Sequence, residues 1–510
     1  MNKLFKAMFC VTFFSVSTRA LGFLLKIYLS RNLSNELLGS YQVAMSIFAV
    51  FMTLVSSGIP VVLSRNVSYF SGQKDKKSIG SLVSAGIILT GVICFVVSLI
   101  IFFCPKLMNA IFASNASTEM LVILIPALIS SAIYEVIRGA LWGEKEFFEI
   151  SFSEFLEQIV RIVILVVLFK TTFINMSLTN KTALSLSLAY IFSTIHVLII
   201  YFKKGGRFYN PKPQLKSLIK TSTPITAVKT ASSIVTSVIA IIIPLRLMKF
   251  GYSSSEALSE FGIIMGMTFP LIMIPSTLIG SLAVTIIPSI SEQSNDIDSG
   301  NLKDTTALKS KINFAIKLTI IFSTILLSTF IALGIPLCEF IYKNSSAGTY
   351  LCFAAISMLP LGLSQISSAV LNAVGLEMKS LKNYAISAGI LILCIYFLPK
   401  YIGTYSLIVG YLLMSTTASL LNFKMLSKRN LVSLNFSKTI IKMLSISLFS
   451  TLLTTSIYHL VSRFGLFISL TVGALISVSS TAILIYIFNI ANIKVMLFRN
   501  FRKKTKVCSQ

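Results

Sequence analysis

The chain has 510 residues, 55% of them hydrophobic and 12% charged, with a mean hydropathy of +0.86. Soluble proteins are roughly a quarter charged, so this composition excludes an ordinary soluble domain and places the chain in the membrane class. The net charge of +27 would suggest nucleic acid in a soluble protein. In a membrane chain it reflects first the Lys and Arg that gather in cytoplasmic loops, and no nucleic-acid partner is expected.

The chain opens MNKLFKAMFCVTFFSVSTRA, with the basic start and apolar middle of a signal peptide. Apolar residues resume after Arg19, however, and the run is long enough to cross a bilayer, unlike a cleaved signal core. Fourteen candidate spans follow one another at 5–29, 41–64, 79–103, 119–138, 153–170, 182–202, 222–245, 259–287, 314–338, 349–373, 383–399, 403–423, 438–461 and 465–490. With the N-terminus inside and the spans alternating, the inside segments hold 30 of the 44 Lys and Arg and the outside segments nine. This asymmetry predicts that both termini are cytoplasmic. The seven cysteines sit mostly within apolar runs and are read as small apolar fillers, with no disulfide and no metal site.

Two short stretches recur. SNELLGSYQ (34–42) enters span 2 and SSEALSEFG (254–262) enters span 8; GALWGEKEFF (139–148) follows span 4 and NAVGLEMKSL (372–381) follows span 10. Each pair lies six spans apart. The expected fold is therefore an all-α integral membrane protein of two six-helix lobes, 1–210 and 211–430. Two additional helices at 431–492 and a basic cytoplasmic tail at 493–510 complete it. Parallel repeats of this kind mark transporter folds with a substrate site between the halves.

Span 1 carries the main chemical signal. Arg19 and Lys26 are seven residues apart and so differ by only about 20° around a helix. Thr12, Ser15, Gly22 and Ser30 share their stripe, while Phe, Leu, Val and Ile occupy the other faces. A cation at the bilayer centre costs about 2.5–3.5 kcal/mol on insertion scales, so Arg19 needs either a carboxylate on another helix or a water-filled cavity. Lys26 lies nearer the outer end, where snorkelling is the competing reading. Span 7 repeats the pattern, with Ser222, Thr226, Lys229, Ser233 and Ser237 around one cation. Span 5 carries Glu154, Glu157 and Arg161, and the i,i+4 spacing of Glu157 and Arg161 predicts a self-neutralising pair. Glu135, Glu154, Glu157 and Glu260 are all read as near span ends. A lining rich in cations and hydroxyls suits phosphate and sugar, whereas proton and sodium sites use buried carboxyls. Gly and Pro in SSGIPVVLS (56–64) and TFPLIMIPS (268–276), with Pro126, Pro224, Pro244, Pro336 and Pro360, predict interrupted spans.

The entry RALGFLLKIYLSRNLSNELLGSYQ, the stretch SSGIPVVLSRNVSYFSG and the six, six and two arrangement resemble the polysaccharide-flippase branch of the multidrug/oligosaccharidyl-lipid/polysaccharide exporter superfamily, and within it the stage V sporulation protein B group. The resemblance covers nearly the whole chain and is strongest at 17–78 and 134–163. It implies two lobes forming a V, open alternately to each side, that move lipid-linked sugar carriers. Lipid II flippases of the superfamily share an S-R-x-L-G-F pattern with a functional arginine, and TRALGF places Arg19 on it. The next cation of that pattern falls one place before Lys26, and Lys26 itself stands where the pattern has an acidic residue. The role therefore carries over to Arg19 more firmly than to Lys26. The sporulation members imply a link to spore cortex peptidoglycan.

The expected function is a flippase in a bacterial plasma membrane, not an enzyme. It would move an undecaprenyl-pyrophosphate-linked saccharide, such as a peptidoglycan precursor, to the outer leaflet by alternating access. Thr12, Ser15, Arg19, Lys26, Arg161, Lys229 and Ser233 are the expected cavity lining. Expected partners are that substrate and membrane lipid, with a coupling ion left open; a monomer is expected, without cofactor. The competing substrates are capsule or O-antigen carriers. A cation-coupled multidrug exporter is disfavoured by the scarcity of mid-span carboxyls. A membrane enzyme is disfavoured by short outside loops and by having only His196 and His459, both within spans.

Overall fold

The computed structural model describes residues 2–103, 115–171, 175–298, 305–432 and 436–488. The expected basic tail at 493–510, Cys104, Cys508 and the side chain of Cys10 lie outside the described residues. Among the described residues the regular structure is all helical. Contacts divide the chain into two compact units, Met1–Gly266 and Met267–Gln510.

The first unit contains α1 (Asn2–Asn32), α2 (Asn35–Ser56), α3 (Ile59–Gly72), α4 (Lys76–Phe103), α5 (Asn115–Ile123), α6 (Ile125–Gly143), α7 (Phe147–Lys170), α8 (Leu178–Lys203), α9 (Lys212–Lys249) and α10 (Ser254–Gly262). Its core is apolar and helix-borne, with Leu63, Val67, Leu82, Val136, Ile137, Ala140 and Val197 fully buried. The helix starts follow local chemistry. The Ser34 hydroxyl accepts from the Leu37 amide, and Ser253 with Glu256 forms a reciprocal capping box. The two recurring segments that contain these caps pack on each other. A side chain at Gly39 would collide with the Leu258 carbonyl, and one at Gly262 with the Asn35 carbonyl, so α2 and α10 touch main chain to main chain. The Ser255 hydroxyl adds a 2.6 Å bond to the Glu36 carboxylate. The repeat divides the sequence at residue 210. Packing gathers residues up to Gly266 into the first unit because α9 and α10 lie against α2.

The second unit contains α11 (Phe269–Ile272), α12 (Ile274–Asp298), α13 (Thr306–Tyr342), α14 (Ser345–Ala355), α15 (Met358–Ala373), α16 (Glu377–Phe397), α17 (Pro399–Ile402), α18 (Tyr405–Lys428), α19 (Phe436–Val461) and α20 (Leu466–Ile487). A buried hydroxyl ladder fastens the last two long helices to α13. Ser328 meets Ser477 at 3.2 Å and Thr481 at 3.1 Å, Thr329 meets Ser477 at 2.8 Å, and Ser450 meets Thr481 at 2.8 Å. Interhelical hydroxyls of this kind supply the adhesion that lipid, as apolar as the side chains, cannot.

Among the described residues nine helical spans are long and apolar enough to cross a membrane, and eleven when each bent pair counts as one. The bent pairs are α5–α6 at 45° and α14–α15 at 57°, each just before a proline, Pro126 or Pro360. Pro224 and Pro244, by contrast, lie inside the unbroken α9, and Pro336 inside α13. The remaining segments at expected spans are α1, the charged α7 and the broken run α10–α12, so the helix order fits fourteen. Large apolar side chains such as Phe95, Phe103, Leu448 and Leu452 are exposed, as a multi-pass membrane protein requires of its lipid-facing surface.

Candidate functional site

Helix α1 packs on α7 through aromatic rings. Phe14 meets Phe148, Phe152 and Phe155 with centroids 5.4–5.7 Å apart, and Tyr28 meets Phe169 at 5.7 Å. With one face of α1 bound in this way, the stripe of Thr12, Arg19 and Lys26 is exposed and Ser15 half-exposed. Neither Arg19 nor Lys26 closes an ion pair among the described residues. The aromatic seam also brings Lys26 close enough to Arg161 of α7 for the two charges to repel.

The expected ion pair between Glu157 and Arg161 is not closed. Arg161 reaches across to α2 instead, where Nη2 donates to the Tyr41 hydroxyl at 3.2 Å. Its Nε is buried without a partner. Glu157 lies near the middle of α7, 8% exposed, beside Ser193 of α8. The reading of Glu157 as a span-end carboxyl is therefore corrected: it faces the helix bundle. Glu154 is held by α6. Arg138 donates through Nη1 to both oxygens of Glu135 at 3.1 Å and through Nη2 to Glu154 at 2.9 Å, with its guanidinium 4.9 Å from the centre of the Trp142 ring. Arg138 and Arg161 thus lie among Glu135, Glu154 and Glu157.

Lys229 and Ser233 occupy a different place, on α9. The chain breaks between α2 and α3 at Ser57–Gly58, where Gly58 lies against Ser222 and Thr226 with no space for a side chain. Lys229 Nζ donates to the Ser57 carbonyl at 2.9 Å and so caps the end of α2. Ser233 is half-exposed, and its carbonyl accepts from Thr236 at 2.8 Å. The structure thus groups Lys26 with Arg161, keeps Arg19, Thr12 and Ser15 on the same α1 face, and gives Lys229 a partner in the main chain. Sequence reasoning missed Tyr41, Arg138 and the burial of Glu157. Tyr41 stands in the recurring segment before span 2, but nothing in its spacing points to a residue 120 positions away.

An open cleft of about 440 Å³ at the α9–α10 turn, lined by Phe250, Tyr252, Glu256 and Glu260 among others, contains none of the expected residues. Among the described residues no three His, Cys, Asp or Glu side chains gather as a metal site.

The model of the polysaccharide biosynthesis protein family matches residues 4–294, more than half of the chain. Stage V sporulation protein B of Bacillus subtilis (strain 168) is 24% identical over 384 residues, covering 73% of each protein. The solved structure of the lipid II flippase MurJ in its inward closed conformation is similar with a TM-score of 0.68 at 16% identity, over 94% of this chain and 99% of that one. An inward-facing multidrug resistance MATE family transporter of the MOP superfamily matches with a TM-score of 0.64 at 15% identity, over 82% of this chain and 94% of that one. The fold is that of these transporters, and the chain belongs to the polysaccharide biosynthesis protein family.

Proposed function

We propose that the protein is a flippase that carries an undecaprenyl-pyrophosphate-linked saccharide, a peptidoglycan precursor such as that of the spore cortex, from the cytoplasmic to the outer leaflet of a bacterial plasma membrane. The observation that carries this reading is the cationic face of α1, where Arg19 and Lys26 are exposed and close no ion pair among the described residues, on the helix that packs against α7 and its Arg161. Two like charges close together in a membrane bundle are unfavourable unless an anion lies against both. A diphosphate supplies that anion, and guanidinium and ammonium groups are its ordinary donors. Arg19, on the same face of α1, extends the cationic surface, and Thr12 and Ser15 add hydroxyls for a sugar. The prenyl tail stays in lipid. Only the head group, which cannot cross hydrocarbon unaided, needs this lining, and alternating access between two lobes delivers it. Both termini are cytoplasmic in this reading. An inside-negative potential then favours outward movement of negative charge by about 2.3 kcal/mol per charge per 100 mV.

A second reading, a cation-coupled exporter, draws on one observation, the buried Glu157, since such transporters use intramembrane carboxyls. Proteoliposomes loaded with a fluorescent lipid-linked peptidoglycan precursor separate the two. The wild type should flip it, and Arg19→Ala and Arg161→Gln should each slow flipping about tenfold or more, the weight of one charged hydrogen bond, with membrane insertion unchanged. Normal flipping by both variants would rule out the cationic site, and flipping of a cationic dye alone would favour the second reading.

A further inference from the structure

The break between α2 and α3 holds more oxygen acceptors than its hydrogen bonds use. Pro60 has no amide to give the carbonyl four residues back, that of Ser56. The next carbonyl, that of Ser57, accepts from Lys229 Nζ at 2.9 Å. The Ser57 hydroxyl is buried without a partner, and so is the hydroxyl of Thr230, a residue only 8% exposed. Ser222, Thr226 and Thr230 follow one another at i,i+4 along α9, and the first two lie against Gly58 through a carbonyl and a hydroxyl oxygen. Two turns further along, the Ser237 hydroxyl donates to the Ser46 carbonyl, which fixes α9 beside α2. Lys229 stands well inside α9, where an uncompensated cation is costly, and its ammonium meets the negative end of the α2 dipole. Carbonyls at the end of an interrupted helix, with hydroxyls beside them, are the donors with which membrane transporters hold a small cation. At this break the cation on the carbonyl is part of the chain.

We infer that Lys229 is a tethered replacement for a monovalent cation at the α2–α3 break: with the ammonium in place the break needs no ion from the medium, and without it the same oxygens take up a sodium ion or a small primary ammonium. The oxygens of Ser56, Ser57, Thr226 and Thr230 are all neutral, which suits a single positive charge; a calcium-type site would add carboxylates. Because the charge comes with the chain, α9 stays joined to the end of α2 whatever salt surrounds the protein.

The test follows the thermal unfolding midpoint of the full chain in detergent, in sodium, methylammonium or choline chloride at one ionic strength. Choline is too bulky for the place of a lysine ammonium and serves as the blank. Lys229→Ala should melt below the wild type in choline chloride and regain about 2 °C or more in sodium or methylammonium chloride, saturably with concentration. The wild type should melt alike in all three salts. Because the alanine variant can fail to fold, Lys229→Ser is measured beside it, its hydroxyl adding one more donor for the same ion. Equal midpoints of the variants in the three salts would overturn the inference. A wild-type response as large as theirs would place the ion elsewhere and overturn it too, as would failure of both variants to fold in every salt. No substrate enters these measurements, so the flippase reading stands or falls separately.

Discussion

Side chains on neighbouring helices of the first unit settle what each charge is for. Arg138 and Arg161 are both arginines in membrane spans, yet one is closed by two carboxylates and the other is held open by a tyrosine. The i,i+4 spacing of Glu157 and Arg161 is legible in the sequence; the competing partner, Tyr41, is not, because it arrives from another helix. A local pair worth about 0.2–0.5 kcal/mol yields readily to such a tertiary contact. Outside the spans, local chemistry is more faithful. Asp75 accepts from the Ser78 amide at 3.1 Å and from the Ser78 hydroxyl at 2.6 Å, and these bonds hold its carboxyl below the usual range. A carboxyl lowered by folding adds stability that is present at neutral pH and is lost as pH falls through the folded value. The first turn of α4 should therefore stay ordered down to about pH 4, the ordinary aspartate value, and fray below it. Amide hydrogen exchange at Lys77–Ile79 checks this, and equal exchange at pH 3 and pH 7, after correction for intrinsic rates, would refute it.

Prolines and glycines mark where helices can break, but packing decides which of them do. Pro126 and Pro360 coincide with the 45° and 57° bends, while α9 continues unbroken through Pro224 and Pro244. Inside a helix a proline removes one main-chain bond, whereas in a first turn, where Pro126 stands, the missing amide had no helical partner to lose. SSGIPVVLS reads as an interruption, and it is one, but the sequence does not show that Lys229, 172 residues away, closes it. The charge that looked like cavity lining thus serves the helix end as well. Lys229→Met keeps the length of the side chain and removes the donor. It should cost about 0.5–1.5 kcal/mol, the net worth of a typical hydrogen bond, seen as a lower unfolding midpoint in detergent. A midpoint equal to the wild type would show that water caps the carbonyl as well.

Across the molecule, class and order were legible while adhesion was not. The fourteen apolar runs, the recurring segments and the basic loops come from patterns every membrane chain must write into its sequence, and they led to the transporter fold that the solved relatives share. The hydroxyl ladder between α13, α19 and α20 escaped notice because serine and threonine are common in apolar runs and carry no period of their own. Ser477 is fully buried and meets Ser328 and Thr329. Ser477→Leu should separate α20 from α13, so that limited proteolysis releases the last two helices at protease levels the wild type withstands. Ser477→Ala should cost only about 0.6–1 kcal/mol, the usual worth of such a bond in a membrane. A wild-type digestion pattern for the leucine variant would mean the ladder is dispensable.

The meeting of α2 and α10 at Gly39 and Gly262 leaves no cushion of side chains over which one rod could creep along the other. Any movement of either helix must therefore carry its partner along or part from it outright, and a single methyl at Gly39 would deny the pair its seat.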